Sequence, residues 1–197
     1  MSSRIITLPN LLTMFRMVLI PVFVSLLFYQ KFGWALVVFM LAGVTDGLDG
    51  LFARRFDQRS QLGSILDPIA DKLLLVTSFI VLSMPSISPH PRPSHFPVPF
   101  WVTTAVISRD IFIIVGAAAI NMVTGFRGFR PSWPGKVSTV VQIFAITAVL
   151  FASVFPKGSG YYLPTVYVTV FLLAILSGAH YVFFASKLLN EERRQTE

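Results

Sequence analysis

The sequence predicts an all-α integral membrane protein in which six transmembrane helices form one bundle. Hydrophobic residues make up 54% of the 197 residues and charged residues only 13%, about half the charged fraction of a soluble domain. The apolar residues fall in long runs, and a transmembrane helix needs about 20 such residues. Proline-rich stretches separate several of these runs, and proline does not continue a helix.

The first three spans are predicted at residues 10–29, 33–54 and 63–84. Pro9 and Asn10 mark the start of the first span. The basic segment 54–62 separates the second span from the third, which ends at the proline-rich segment 85–99. Before the first span, "SRIITLP" places apolar residues beside Arg4, which predicts a short segment in the membrane interface.

The last three spans are predicted at residues 100–124, 137–155 and 164–186. The segments "FRGFRPSWPGK" (126–136) and "FPKGSGYYLP" (155–164) carry the prolines and glycines that break a helix. Residues 1–197 are then a single membrane domain, without room for a separate soluble one. Cysteine is absent, so neither disulfides nor a thiolate metal site is expected.

Lysine and arginine fall mainly on one side of the predicted bundle. Ten of them lie at the N-terminus, in the loops 54–62 and 125–136 and in the tail, and three lie on the opposite side. Because basic loops stay in the cytoplasm, both termini are expected there, in a multi-pass protein of the cell membrane. The net charge of +7 then reflects topology and lipid headgroups rather than nucleic acid binding.

Four aspartates lie where the second and third spans meet, in "VTDGLDGLFARRFDQRSQLGSILDPIADK" (44–72). Asp46 and Asp49 are three residues apart and Asp67 and Asp71 are four apart, so each pair shares one face of its helix. The two helices then present four carboxylates to a crevice that opens toward the cytoplasm. Such carboxylates repel one another unless cations neutralise them. Divalent cations with oxygen ligands are expected, in a two-metal site.

The residues around the four aspartates bear on two questions: whether the acids form a purely structural ion-pair cluster, and why glycines lie beside them. Arg54 lies about two turns from Asp46, and Lys72 points away from the face of Asp71, so a purely structural ion-pair cluster is disfavoured. Glycine inside a helix costs about 1 kcal/mol relative to alanine, so the glycines of the motif need a reason. They allow close helix packing or leave room for a ligand against the backbone, and the relevant positions are Gly47, Gly50 and Gly63.

The complete motif reads Asp46-x-x-Asp49-Gly50-x-x-Ala53-Arg54, eight residues, then Gly63-x-x-x-Asp67-x-x-x-Asp71. It resembles the signature of the CDP-alcohol phosphatidyltransferases, with every fixed position filled. Enzymes of this family move a phosphatidyl group from a CDP-linked lipid to an alcohol and release CMP. The resemblance implies a transferase of phospholipid biosynthesis, and it also implies a homodimer.

The resemblance implies a role for each residue of the motif. Asp46, Asp49 and Asp67 would bind one divalent cation, Mg²⁺ or Mn²⁺, and Asp67 and Asp71 would bind a second. Asp71 would also be the general base that deprotonates the acceptor hydroxyl. The remaining positions would line the CMP and diphosphate of CDP-diacylglycerol: Gly50, Ala53, Arg54 and Gly63.

Two segments outside the motif indicate the acceptor. "LPNLLTMFRMVLIPVFV" (8–24) and "PSWPGKVSTVVQ" (131–142) resemble the bacterial phosphatidylglycerophosphate synthases of the family, whose acceptor is glycerol 3-phosphate. A phosphate needs basic contacts, and the candidates are Arg109, Arg130 and Lys136, with Arg16 as a further one.

A third segment keeps another acceptor open. "PVPFWVTTAVISRDIFIIVGA" (97–117) has Arg109-Asp110 where an Arg-Glu pair is more usual, and it resembles the cardiolipin synthases, whose acceptor is phosphatidylglycerol. Arg109 can also be read as a simple partner of Asp110, and Lys136 as a topology charge. Glycerol 3-phosphate is the favoured acceptor, and another acceptor within the family is the alternative.

Two other protein classes were compared with this interpretation. A cation transporter would need acidic groups at the membrane midplane or in the outer half, where this sequence has few. An intramembrane prenyltransferase would carry two similar Asp motifs on separated helices, whereas these motifs lie on neighbouring ones. The sequence therefore favours the transferase.

Overall fold

The structure, a computed structural model, describes residues 8–55, 61–87, 96–124 and 133–196. Within these ranges the regular structure is helical throughout, which confirms the predicted all-α class. The elements are α1 Leu8–Phe28, α2 Phe32–Arg55, α3 Gln61–Leu82, a short 3-10 helix Pro85–Ile87, α4 Phe100–Thr124, α5 Trp133–Val154 and α6 Ser159–Thr196.

The helix ends agree with the predicted spans except in α5 and α6. α5 begins at Trp133 rather than at 137, because Pro134 falls in its first turn, where a missing N–H has no helical partner. α6 begins at Ser159 rather than at 164, directly after Gly158 turns the chain with φ 81°. It continues past 186 to Thr196, because the polar tail contains no proline or glycine to end a helix.

α1, α2 and α3 form one compact unit with the segment Ile146–Gly160, called the first unit below. α1 contacts both α2 and α3. The buried residues Leu19, Phe23 and Leu27 share one face of α1, as expected from helical periodicity. The ring centroids of Phe23 and Phe39 of α2 lie 5.7 Å apart. This packing fixes the rotation of α1 and so decides which of its polar residues face the acidic motif.

The turn between α1 and α2 is set by the backbone at Gln30, which has φ 57°. The N–H of Gln30 donates to the carbonyl of Leu27 at 2.9 Å, and the N–H of Lys31 donates to that of Leu26 at 2.8 Å. These two bonds form the Schellman motif that ends many helices. α2 begins directly afterwards, so the turn brings α2 back along α1.

α4, α5 before Ile146 and α6 after Gly160 form the second unit. The rings of Trp101 and Phe171 meet edge to face at 5.2 Å between centroids, which packs α4 against α6. The same two helices approach closely at Gly116, where an added Cβ would lie 2.8 Å from Cε1 of Tyr181. Glycine at 116 therefore permits this helix contact.

Large apolar side chains are exposed on both units, and examples are Val18 and Trp34 in the first unit, 60% and 67% exposed, and Phe112 and Phe183 in the second, 66% and 77% exposed. In the part of the chain that the structure describes, four helices are long and apolar enough to cross a membrane: Asn10–Phe28, Phe100–Ala118, Gly135–Val154 and Ser159–Phe183. Their apolar windows are only 22–39% buried. An exterior this apolar suits lipid rather than water. Within the described part of α2, the residues Phe32–Gly47 form a further, shorter apolar stretch.

Substitution of Gly116 by alanine is expected to destabilise the second unit. The new methyl group would overlap the buried ring of Tyr181, and such overpacking costs about 1–3 kcal/mol. Gly33→Ala is the matched control, because a Cβ there meets nothing within 4 Å. Thermal denaturation in detergent should show a lower midpoint for Gly116→Ala alone. Equal midpoints for the two variants would contradict the close approach of α4 and α6.

Candidate active site

One face of α1 changes from apolar to polar toward its N-terminal end. Asn10, Thr13 and Arg16 are buried and spaced by three residues, so they continue the face that carries Leu19. Burial of an arginine is costly unless its charge is paired. The partners of Arg16 come from α2 and α3, the helices that carry the acidic motif.

Arg16 joins these two helices. Its Nη1 lies 2.7 Å from Oδ1 of Asp46 on α2 and also donates to Oδ1 of Asp71 on α3. The Arg16 side chain is 0% exposed, whereas those of Asp46 and Asp71 are 42% and 40% exposed. Each carboxylate therefore has one edge against a buried cation and remains accessible to a ligand from elsewhere.

A second contact from α1 holds the remaining described carboxylate of the motif. Thr13 Oγ1 donates a hydrogen bond to Oδ1 of Asp67. Because Thr13 and Arg16 lie on one face of α1, they position both acids of α3. The structure thus brings Asp46 and Asp71 together on one guanidinium, with Asp67 held by the adjacent turn of α1.

The donor atoms of this group are those that a hard divalent cation prefers, since all are carboxylate oxygens. The guanidinium of Arg16 contacts two of these three carboxylates, and Thr13 contacts the third. Where side chains are described, however, no three His, Cys, Asp or Glu residues lie close enough to hold one metal ion. The side chain of Asp49 lies outside that part. The group fits a divalent cation in donor type.

Gly47, next to Asp46, has no close neighbour among the described residues. A Cβ at Gly47, or at Gly43 one turn earlier, would meet none of their atoms within 4 Å. Close helix packing therefore does not explain Gly47, and the geometry favours the other reading, room for a ligand beside the backbone. The residues predicted to line CDP-diacylglycerol belong to α2 and α3, and their side-chain environment lies outside the described part: Gly50, Ala53, Arg54 and Gly63.

The second unit contains a buried cluster around Arg109, whose guanidinium is held on three sides. Nη1 donates to Oδ1 of Asp110 at 2.6 Å. Nε and Nη2 donate to Oγ of Ser177 on α6 at 3.2 and 2.7 Å, and Nη2 reaches the carbonyl of Gly135 on α5 at 3.4 Å. The pair is 7% and 4% exposed, respectively. Arg109 thus joins α4, α5 and α6.

The other predicted acceptor contacts are described only in part. Lys136 is exposed in the first turn of α5, directly after the Gly135 that Arg109 contacts. Arg130 lies outside the described residues. The sequence left open whether Arg109 binds a phosphate or neutralises Asp110, and the ion pair with Asp110 is present.

The sequence that forms this site matches a known protein family. The sequence profile of a family described as CDP-alcohol phosphatidyltransferase matches residues 6–184. The chain belongs to this family. The matched region contains α1–α5 and most of α6, and therefore both clusters described above.

Relatives in the family cover most of this chain. A "Probable phosphatidylglycerophosphate synthase" of Mycobacterium tuberculosis is 35% identical over 91% of this chain and 82% of its own length. A "CDP-diacylglycerol--glycerol-3-phosphate 3-phosphatidyltransferase" of Blochmanniella floridana is 32% identical over 94% of both. The human "Cardiolipin synthase (CMP-forming)" is 34% identical over 89% of this chain and 60% of its own length.

Membership establishes the general chemistry. CDP-alcohol phosphatidyltransferases are membrane-integral transferases that use a CDP-alcohol as donor and an alcohol as acceptor, and they generally use divalent metals. The chain is therefore an enzyme of phospholipid biosynthesis. The transferase interpretation is confirmed over the cation transporter and the prenyltransferase.

Sequence reasoning missed the contribution of α1 to this site. The sequence offers Arg54 and Lys72 as the cations nearest the acids, and Arg16 only as a contact of the acceptor phosphate. In the structure Arg16 bridges Asp46 and Asp71. The signal was available in the three-residue spacing of Asn10, Thr13 and Arg16 within an apolar span. Polar residues at such spacing need polar partners on a neighbouring helix.

Proposed function

We propose that this enzyme transfers the phosphatidyl group from CDP-diacylglycerol to glycerol 3-phosphate, giving phosphatidylglycerophosphate and CMP. The observation that carries the proposal is the group of carboxylates that α1 holds between α2 and α3, in a chain of this family. The acceptor is supported by relatives with phosphatidylglycerophosphate synthase activity in their names, which match most of the chain.

The four aspartates divide the work of binding cations. We propose that Asp46, Asp49 and Asp67 bind one divalent cation and that Asp67 and Asp71 bind a second, both Mg²⁺ or Mn²⁺. Two such cations, when bound, neutralise the diphosphate and the charge that develops on the departing CMP. The carboxylate oxygens that Asp46, Asp67 and Asp71 present beside α1 support this part of the proposal, because divalent cations of this kind prefer oxygen ligands.

Asp71 is the proposed general base. It accepts the proton of the acceptor hydroxyl, and the hydroxyl oxygen forms a bond to the phosphatidyl phosphorus. The bond from that phosphorus to the oxygen of CMP breaks in the same displacement, so CMP leaves with the bonding electron pair. In-line transfer of this kind depends mainly on positioning and on charge neutralisation. The 40% exposure of the Asp71 side chain leaves it accessible to an acceptor.

The donor is proposed to bind along α2 and the start of α3, at Gly50, Ala53, Arg54 and Gly63. The absence of close neighbours among the described residues at Gly43 and Gly47 supports this placement, because a nucleotide can lie against backbone without a Cβ. The apolar exterior of the first unit lets the acyl chains remain in lipid while the headgroup reacts.

The acceptor phosphate is proposed to contact Arg130 and Lys136, with Arg109 contributing through its neighbours. Arg109 donates to Asp110, Ser177 and the carbonyl of Gly135. It can therefore position the first turn of α5, where Lys136 lies. First-turn N–H groups of a helix also favour a phosphate.

The setting of the enzyme completes the proposal. We expect six spans, in which α2 and α3 cross the membrane in addition to the four apolar helices, and both termini in the cytoplasm, as the distribution of basic residues predicts. The active site then faces the cytoplasm from the cell membrane. A homodimer is expected from the family resemblance.

A panel of acceptors tests the proposed reaction. Purified protein with CDP-diacylglycerol and Mg²⁺ or Mn²⁺ would be given glycerol 3-phosphate, phosphatidylglycerol, inositol phosphate or serine, and CMP release would be measured. Glycerol 3-phosphate should give the highest kcat/KM, and it should exceed serine by about ten-fold or more, since a site that binds a phosphate rejects an acceptor that lacks one. Release of CMP with none of these acceptors would contradict the proposed function.

The second candidate is a cardiolipin synthase, in which phosphatidylglycerol is the acceptor. Two observations favour it: the Arg109-Asp110 pair, present as a buried ion pair, and relatives named cardiolipin synthase at 34% identity. Basic contacts do not separate the two candidates, because both acceptors carry a phosphate. Faster CMP release with phosphatidylglycerol than with glycerol 3-phosphate would select this candidate.

A further inference from the structure

The position of Arg16 has a consequence for metal binding. Its Nη1 contacts Oδ1 of both Asp46 and Asp71, two of the carboxylates proposed as metal ligands. The guanidinium thus lies between oxygens that a divalent cation would use. Its side chain is fully buried, so it is held within the fold rather than being a surface arginine that happens to lie nearby.

A guanidinium and a divalent cation compete for such a position because both are stabilised by the same negative charge. A positive charge within a few ångströms of a carboxylate stabilises its ionised form, and it repels a second cation by the same interaction. Arg16 therefore stabilises the carboxylates when no metal is bound and opposes the metal when it arrives. The hydrogen bond from Thr13 to Asp67 supports an exchange of the guanidinium for a metal ion, since it holds Asp67 independently of Arg16.

We propose that Arg16 is a resident counter-ion that a divalent cation displaces from Asp46 and Asp71. This inference rests on the proposed function in one respect, the use of these carboxylates as metal ligands. Arg16 thereby keeps α2 and α3 together on α1 before metal binding, and it sets the metal affinity of the site below that of the carboxylates alone. The displaced guanidinium is suited to the anionic diphosphate of the donor, since arginine forms strong paired hydrogen bonds with phosphates.

The test is the Mn²⁺ affinity of the full chain without donor, measured from the electron paramagnetic resonance signal of free Mn²⁺. Arg16→Gln, which removes the charge, should bind Mn²⁺ at least about ten-fold more tightly than the wild type, given the effect of one adjacent charge on a carboxylate. Arg16→Lys, which keeps the charge, should stay near the wild type. Lys31→Gln is the matched control, because Lys31 is an exposed cation at the other end of α1.

Thermal stability provides a second measurement that guards against a folding defect. In EDTA, Arg16→Gln should melt below Lys31→Gln, because the charge of Arg16 no longer offsets the repulsion between Asp46 and Asp71. Addition of Mn²⁺ should close most of that difference. If Arg16 only oriented the carboxylates for the metal, Arg16→Gln would bind Mn²⁺ more weakly than the wild type. Mn²⁺ binding by Arg16→Gln that is equal to or weaker than that of the wild type therefore overturns the inference.

Failure of the inference and failure of the proposed function give different results. Equal Mn²⁺ affinities, together with normal CMP release by the wild type, overturn the role of Arg16 alone. Absence of CMP release from the wild type with every acceptor overturns the function, whatever the Mn²⁺ titrations give. Tighter Mn²⁺ binding by Arg16→Gln supports the inference in either case.

Discussion

Replacement of Asp71 by asparagine should abolish phosphatidyl transfer while the protein still inserts and binds CDP-diacylglycerol. Asparagine has nearly the shape of aspartate but cannot accept the acceptor's proton as a carboxylate does. Loss of a general base lowers a rate by about 10²–10⁴-fold, and Asp71 is also a proposed metal ligand. CMP release measured with saturating donor and acceptor should therefore fall by about 10³-fold or more.

Two comparison variants make this result specific. Asp46→Asn also loses a contact with Arg16, but Asp46 is proposed only as a metal ligand. Excess Mn²⁺ should therefore restore part of the activity of Asp46→Asn. It should restore none of the activity of Asp71→Asn. Glu192→Gln removes a carboxylate from the end of α6 and should behave as the wild type. Near-wild-type turnover of Asp71→Asn would refute the assignment of the base.

The second large effect is expected from Arg109→Met. This change leaves Asp110 buried in a membrane helix without the guanidinium that now lies 2.6 Å away. Removal of one partner of a buried ion pair costs about 3–5 kcal/mol, so denaturation in mixed micelles should show a free energy of unfolding lower by that amount. A variant as stable as the wild type would show that the pair does not stabilise the second unit.

Neighbouring substitutions separate the stability role of Arg109 from its role toward the acceptor. Arg109→Met combined with Asp110→Leu should regain much of the lost stability, since neither buried charge remains. Ser177→Ala removes one acceptor of Arg109 and should cost about 1–3 kcal/mol. If Arg109 positions Lys136 through Gly135, Ser177→Ala should raise the KM for glycerol 3-phosphate and leave that for CDP-diacylglycerol unchanged. Equal changes in the KM for glycerol 3-phosphate and the KM for CDP-diacylglycerol would argue against the positioning role of Arg109.

The helices were predictable because hydrophobic length and proline decide where a membrane helix can exist. α4 was placed at the correct ends, 100–124, by apolar residues that follow Pro99. Errors arose where proline is tolerated: Pro134 and Pro164 fall in the early turns of α5 and α6. Pro134 lies in the first turn of α5, where its missing N–H has no helical partner to lose. Pro164 is the sixth residue of α6, and it shows that a helix can also begin before a proline.

The site was predictable only within one helix at a time. The spacing of Asp67 and Asp71 places them on one face of α3 regardless of the rest of the chain. Their partners Thr13 and Arg16 depend on the rotation of α1, which is set by packing contacts such as that between Phe23 and Phe39. The same holds for Arg109 and Ser177, which are 68 residues apart in sequence. Contacts of this kind arise from tertiary packing, which local spacing does not encode.

The most direct test of the metal site is an anomalous-scattering map of crystals grown with Mn²⁺ and CDP-diacylglycerol. We expect Mn²⁺ peaks at coordination distance, about 2.1 Å, from carboxylate oxygens of Asp46, Asp67 and Asp71, with the Arg16 guanidinium moved from between Asp46 and Asp71. A map without Mn²⁺ at these oxygens, in which Arg16 still bridges the two aspartates, would contradict this account.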